Sequence, residues 1–217
     1  MRTTAFIILL SLTGIICRAQ QHPTALDLTA IKKAVNDSVS ATGYKALLKK
    51  FNQAPQYLYP FEGAIIYYGK LFLKERNAVS SLAGHKKFEK LFAQKNFAEL
   101  IKEGEPLLSQ DPASLKLLIA LAASYIQTGD STMAYLTRSK INLLMPAILM
   151  HGNGVSDSTT IKVTDVADEY VIMDLLRLRG NNRKTTKTEY SFIDMWTLQK
   201  SKRVEQEAIY FEVYYPF

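Results

Sequence analysis

The sequence predicts an α+β fold: a mainly helical N-terminal part, then a small C-terminal α+β module with a few antiparallel strands. Three observations carry this reading. Apolar residues recur at helical spacing from Leu28 to Met150, as one face of a packed helix requires. The composition then shifts at His151-Gly152-Asn153-Gly154, a strong turn signal. Alternating segments follow, the cleanest at 208–217, where Ile209, Phe211, Val213, Tyr215 and Phe217 fall on one face. The chain accordingly divides into 1–19, 20–147 and 148–217.

Within the helical part, 23–35 places Leu28, Ile31 and Val35 on one side, and 44–51 does the same with Tyr44, Leu47, Leu48 and Phe51. Asp37-Ser38 and Thr42-Gly43 supply the turn between them. A third helix is expected over 62–74, with Ile65, Tyr68, Gly69 and Phe72 on one side. Gly69 costs such a helix about 1 kcal/mol relative to alanine, which a close approach of a neighbouring helix would offset. From Leu82 the pattern resumes with Phe88, Leu91 and Phe92, turns at Gln94–Asn96, and continues through Phe97, Leu100, Ile101, Leu107 and Leu108.

Asp111-Pro112 reads as a helix start, with aspartate as cap and proline in the first turn. Leu118, Leu121, Ala122 and Tyr125 follow in large, large, small and aromatic order. Gly129-Asp130 makes a turn, Ala134 and Ile141 face back from a second helix, and Pro146 is expected to end it. Pro112 and Pro146 stand 34 residues apart, the period of one tetratricopeptide-type unit. The stretch before Pro112 fits that pattern poorly, so flanking helices must complete the core.

In the C-terminal module, 159–164 alternates as a short strand with Ile161 and Val163 inward. A helix begins at Asp165, and Asp168 and Glu169 suit the positive end of its dipole. Val171, Ile172, Leu175 and Leu176 form its expected buried face, and Gly180-Asn181-Asn182 stops it. Strands are expected at 190–198 and 208–217.

The order Tyr67-Tyr68-Gly69-Lys70, the helical unit, Gly152-Asn153-Gly154 before a Thr-rich strand, Asp168-Glu169-Tyr170 and Ile209-Tyr210-Phe211-Glu212-Val213 resembles an exported bacterial family known as domain of unknown function 4919. The resemblance covers nearly the whole chain after residue 19. It implies architecture, and no activity, substrate or cofactor. The family shows Gly-acid-Gly where this chain has Gly152-Asn153-Gly154.

The first residues read as an export signal. Arg2 is followed by an uncharged apolar run, 5–17, and Cys17-Arg18-Ala19 leaves small residues at both recognition positions before a cut after Ala19. Thirteen such residues reach only about 20 Å as a helix, short of a bilayer. No later run is long enough to span one, so no transmembrane segment is expected in the cleaved chain. Lipidation at Cys17 is disfavoured because Ile16, not a small residue, precedes it. Cleavage would leave a chain without cysteine, which excludes disulfides, thiolate metal sites and a cysteine nucleophile. The formal charge of +7 falls to +5 without Arg2 and Arg18, moderately basic and compatible with an anionic envelope polymer. Export argues against a nucleic-acid partner.

No catalytic constellation stands out, and no catalytic, cofactor or metal residues are assigned. Gly152-Asn153-Gly154 lacks the lysine and hydroxyl residue of a phosphate loop and reads as a tight turn. Ser156 and Ser158 lie near His151 without a nucleophile-elbow pattern. His151, Asp157, Asp165 and Asp168 read as solvated or capping groups rather than a metal set. Adjacent Asp168 and Glu169 would point about 100° apart on a helix, unlike an acid–base pair facing one substrate.

Two features remain as candidate ligand-binding elements. One is the basic run Arg177, Arg179, Arg183, Lys184 and Lys187 around a Gly-Asn turn, with Lys200, Lys202 and Arg203 beyond it. The other is the aromatic set Tyr57, Tyr59, Phe61, Tyr67 and Tyr68, suited to stacking on a ligand or to core packing. The reading that follows is an exported, non-enzymatic protein-interaction module of the bacterial periplasm or envelope. The alternatives are a binder of anionic glycan or lipid near Arg183, and an envelope hydrolase using acids such as Asp165 and Asp168.

Overall fold

The computed structural model describes residues 23–73, 82–200 and 206–215. The segment expected to be an export signal, His22, Lys202, Arg203 and Phe217 lie outside these residues. Seven helices come first: α1 (Leu28–Asn36), α2 (Tyr44–Gln53), α3 (Pro60–Gly69), α4 (Leu82–Ala93), α5 (Phe97–Gln110), α6 (Leu115–Thr128) and α7 (Ser131–Leu149). Then follow β1 (Ile161–Val163), α8 (Val166–Leu175), β2 (Gly180–Lys187), β3 (Ser191–Leu198) and β4 (Ala208–Tyr214). The α+β architecture is the expected one. Among the described residues no helix is long and apolar enough to cross a membrane.

The four strands form one sheet in the order β1-β4-β3-β2. β3 pairs antiparallel with both neighbours, whereas β1 runs parallel to β4, with Ile161 opposite Phe211 and Val163 opposite Val213. Only antiparallel pairing was expected. Alternation buries Ile209, Phe211 and Val213 on one face of β4 and leaves Tyr210, Glu212 and Tyr214 half-buried on the other. That buried face meets the helices. One apolar cluster joins Tyr67, Tyr68 and Leu71, Leu144 and Ile148 of α7, and Ile161, Val163, Trp196 and Phe211 of the sheet. A smaller cluster of Phe88, Leu91, Leu100, Leu121, Tyr125 and Ala134 holds α4 to α7 together.

α3 sits at the centre of this arrangement. Pro60 occupies its first turn and Glu62 reaches back to the Tyr59 amide at 2.7 Å. It ends at Gly69 and tightens into a 3₁₀ turn over Lys70–Phe72, earlier than expected. A Cβ on Gly69 would lie 2.6 Å from the Tyr44 ring and 3.1 Å from Val35. The missing side chain thus lets α1 and α2 close onto α3, the role expected of it.

Several boundaries differ from expectation. Residues 23–27 are not helical: Thr24 donates its amide to the Met150 carbonyl at 2.9 Å, tying this segment to the end of α7, and Asp27 caps α1. Asp111-Pro112 does not start α6. Ser114 is its cap, and Asp111 ends α5 with its carboxylate paired to Lys70 at 3.2 Å, so it cannot serve the next helix. Nor does Pro146 end α7, which continues to Leu149. Proline removes one backbone donor, but Ala147 and Ile148 beyond it are fully buried, and their burial holds the last turn. α6 and α7 do pack as a helical pair joined at Gly129, whose φ of 81° closes α6.

α8 also ends by an unexpected device. Arg177 takes the left-handed conformation at φ 58°, and the Leu178 amide donates to the Met173 carbonyl at 2.8 Å. Leu175 and Leu176, expected to be buried, are 43% and 40% exposed. The buried face of α8 instead carries Asp168, Glu169, Ile172 and Met173. Gly180-Asn181-Asn182 does not stop a helix; it begins β2 and contains a bulge against β3.

Candidate functional site

The acids at the start of α8 divide by environment. Asp165 is exposed and caps the helix, accepting from the Ala167 amide at 2.9 Å as expected. Asp168 and Glu169 are not solvated helix-start groups; they are 2% and 0% exposed. Buried carboxyls need partners or protons, and each finds its own.

Asp168 faces α3. The Tyr67 hydroxyl donates to its Oδ2 at 2.6 Å and accepts from the Thr164 amide at 3.2 Å. Lys70, itself 5% exposed, lies over the Tyr67 ring at 5.2 Å and pairs with Asp111. Burial pushes the Asp168 carboxyl up to about 6, while the Lys70 charge and the Tyr67 bond pull the other way. Tyr68 completes the group: its hydroxyl donates to the Lys162 carbonyl at 2.9 Å and its ring meets Tyr67 edge-on.

Glu169 faces the sheet. Trp196 Nε1 donates to its Oε2 at 2.7 Å. Asp194, 0% exposed, stands beside it on β3 and accepts from the Thr185 hydroxyl through Oδ1. The other two oxygens, Glu169 Oε1 and Asp194 Oδ2, have no amide or hydroxyl donor. Burial pushes the Glu169 carboxyl up to about 8, and the neighbouring Asp194 carboxyl adds to this, while the Trp196 bond and the Arg183 charge pull the other way. Arg183 Nη1 lies 3.7 Å from Asp194 Oδ2, and its guanidinium covers the Trp196 ring at 5.6 Å.

Two neighbouring carboxyls are an arrangement used in acid–base chemistry. Here both groups are closed off from solvent and serve to join α8 to β3. Asp165 and Asp168, the pair considered for hydrolysis, occupy an exposed cap and a buried tyrosine contact. Among the described residues no group of three or more His, Cys, Asp or Glu side chains is placed to hold a metal ion.

Tyr67 and Tyr68 are 0% exposed and offer no stacking face; core packing is their role. Tyr57, Tyr59 and Phe61 of the same aromatic set are exposed, and the last two stack at 5.9 Å. The basic residues do not surround a turn. Arg177 and Arg179 lie between α8 and β2, while Arg183, Lys184 and Lys187 line the exposed edge strand β2. His151 is buried, not solvated: Nδ1 meets the Thr24 carbonyl at 3.0 Å and burial lowers its pKa. In Gly152-Asn153-Gly154, expected to be a tight turn with positive φ, only Gly154 takes one, at 71°. A Cβ on Gly152 would strike the Thr160 carbonyl oxygen at 1.7 Å, and Asn153 Oδ1 accepts from the Val155 amide.

Asp194 and Trp196 were not singled out from the sequence, and Lys70 and Asp111 figured there only in a motif and as a helix cap. A signal existed for the first two: Asp194, Trp196 and Leu198 share one face of β3, which places an acid on a buried stripe.

An open concavity lies elsewhere, on the α6–α7 pair. A cleft of about 470 Å³ is lined by Tyr125, Ile126, Ala134, Tyr135, Arg138 and Asn142, among others. Ile126 and Tyr135 are 54% and 63% exposed, large apolar groups left in solvent by the helical pair. Arg138 has no acidic partner among the described residues.

Comparison with known families matches residues 29–216 to the family described as Domain of unknown function (DUF4919), and the chain belongs to that family. Neither the curated proteins nor the solved structures contain a match.

Proposed function

We propose that this member of the DUF4919 family is an exported, non-enzymatic protein-interaction module of the bacterial periplasm or cell envelope, and that it binds its partner in the α6–α7 cleft. The carrying observation is the cleft itself, with Ile126 and Tyr135 exposed beside Arg138. Exposed apolar side chains in a concave site favour an apolar anchor from another chain. Unpaired Arg138 at the same site favours a carboxylate next to that anchor. The occupant is therefore a peptide segment with an aromatic or aliphatic residue adjacent to an acidic group. The apolar run at 5–17 and the small residues before Gln20 support export.

Selection of a random peptide library on the purified protein tests this. Selected peptides should pair an apolar residue with Asp or Glu, and should lose at least tenfold in affinity for the Ile126→Ser, Tyr135→Ser double variant. Peptides without that pairing, or binding equally well to the variant, would refute the assignment.

A further inference from the structure

β2 is an edge of the sheet, and seven of its eight residues are exposed. Its backbone orientation follows from the hairpin. The Thr188 amide donates to the Ser191 carbonyl at 2.9 Å, which makes 188 and 191 a mutually facing pair in the same register as Lys187 and Phe192. In an antiparallel ladder facing pairs alternate, so the amides and carbonyls of Lys187, Thr185 and Arg183 point away from β3. Among the described residues nothing pairs with this outer row.

Side chains add charge to that row. Arg183 and Lys187 lie on one face of β2 and Lys184 on the other, by the alternation of the strand. Lys184 and Lys187 have no acidic partner among the described residues. A second copy of β2 is a poor occupant, since edge-to-edge pairing would set cations against cations. An acidic strand meets both requirements, hydrogen bonds along the edge and opposite charge on both faces. A flexible polyanion such as an acidic glycan meets only the second.

We infer that β2 is a second binding site, distinct from the α6–α7 cleft, which takes an extended acidic peptide segment as a fifth strand of the sheet. The backbone of Arg183, Thr185 and Lys187 supplies the hydrogen bonds, and Lys184 and Lys187 select the acidic side chains.

The test uses the chain from residue 20 and an eight-residue peptide alternating Glu and Thr, which carries no apolar anchor for the α6–α7 cleft. Binding is followed by fluorescence anisotropy and by site-resolved amide exchange. The expected result is binding with new protection at the amides of Arg183, Thr185 and Lys187, while those of Lys184 and Thr186 are already protected. A twin peptide of equal charge, N-methylated at every residue, should bind at least tenfold more weakly. The Lys184→Gln, Lys187→Gln double variant should also weaken binding, whereas Tyr135→Ser should leave it unchanged. No binding, binding without that protection, or equal binding by the methylated twin would overturn the inference. Displacement of the peptide by polygalacturonate at equal charge concentration would assign the edge to anionic glycans and overturn it likewise.

Discussion

Glu169 on α8 accepts from the Trp196 indole on β3 at 2.7 Å, next to the equally buried Asp194, which accepts from the Thr185 hydroxyl. The pair ties the last helix to the sheet at a point where both carboxyls are sealed from water. Four predictions concern the fold and its export.

Glu169 rises from its ordinary value of 4.5 to about 8 in the folded chain. Between these values the folded state holds more protons than the unfolded one, so stability falls as pH rises from about 5 to 8. Asp168, raised to about 6, acts in the same direction over the lower part of that range. Thermal unfolding of Glu169→Gln, whose side chain stays neutral at every pH, should show a shallower fall in Tm from pH 5 to 8. An unchanged slope would mean that burial does not hold Glu169 protonated in the folded chain.

Tyr67→Phe removes the hydroxyl that serves Asp168 and the Thr164 amide together. A buried carboxyl and a buried amide then lose a partner, at a cost of about 1–3 kcal/mol. Urea unfolding should show this as a lower midpoint with an unchanged slope. Tyr68→Phe, which frees only the Lys162 carbonyl, should cost less.

Gly69→Ala and Gly152→Ala should differ in severity. At Gly69 the new methyl meets the Tyr44 ring, which can shift, so overpacking of about 1–3 kcal/mol is expected. At Gly152 it meets the Thr160 carbonyl oxygen, where only backbone movement gives relief. The ordering of the two Tm values is the check; equal values would contradict the close backbone approach.

Expressed with its full N-terminus in a bacterium, the protein should be recovered outside the cytoplasm with Gln20 as first residue. Edman or mass-spectrometric sequencing of the N-terminus decides this. A chain starting at Met1, or at a lipid-modified Cys17, would replace the cleavage assigned here.

How far the sequence reveals the fold depends on whether the controlling contact is local. The Asp165 cap, the alternation of Ile209, Phe211 and Val213, and the close packing at Gly69 all follow from near neighbours or from periodicity. Asp111 misleads because its carboxylate belongs to Lys70, 41 residues earlier. Pro146 misleads because burial of Ala147 and Ile148 outweighs one missing donor. β2 is hidden because an edge strand needs no apolar stripe, and Asn181, Arg183 and Lys184 give it the composition of a loop. The site is less legible still. Asp168 and Glu169 look like helix-start acids until Tyr67 and Trp196, distant in sequence, are brought against them. Tyr67 and Tyr68 share their aromatic segment with Tyr57 and Tyr59, and only the packing of α3 separates buried rings from exposed ones.

The most direct test of the cleft as a protein-binding site is photocrosslinking in the organism that produces the protein. A benzoylphenylalanine placed at Ile126 or Tyr135 should give one discrete protein adduct shared by both positions. The same group at Val39, which is 93% exposed between α1 and α2, should not give it. No adduct from either cleft position, or an identical set from Val39, would contradict the account.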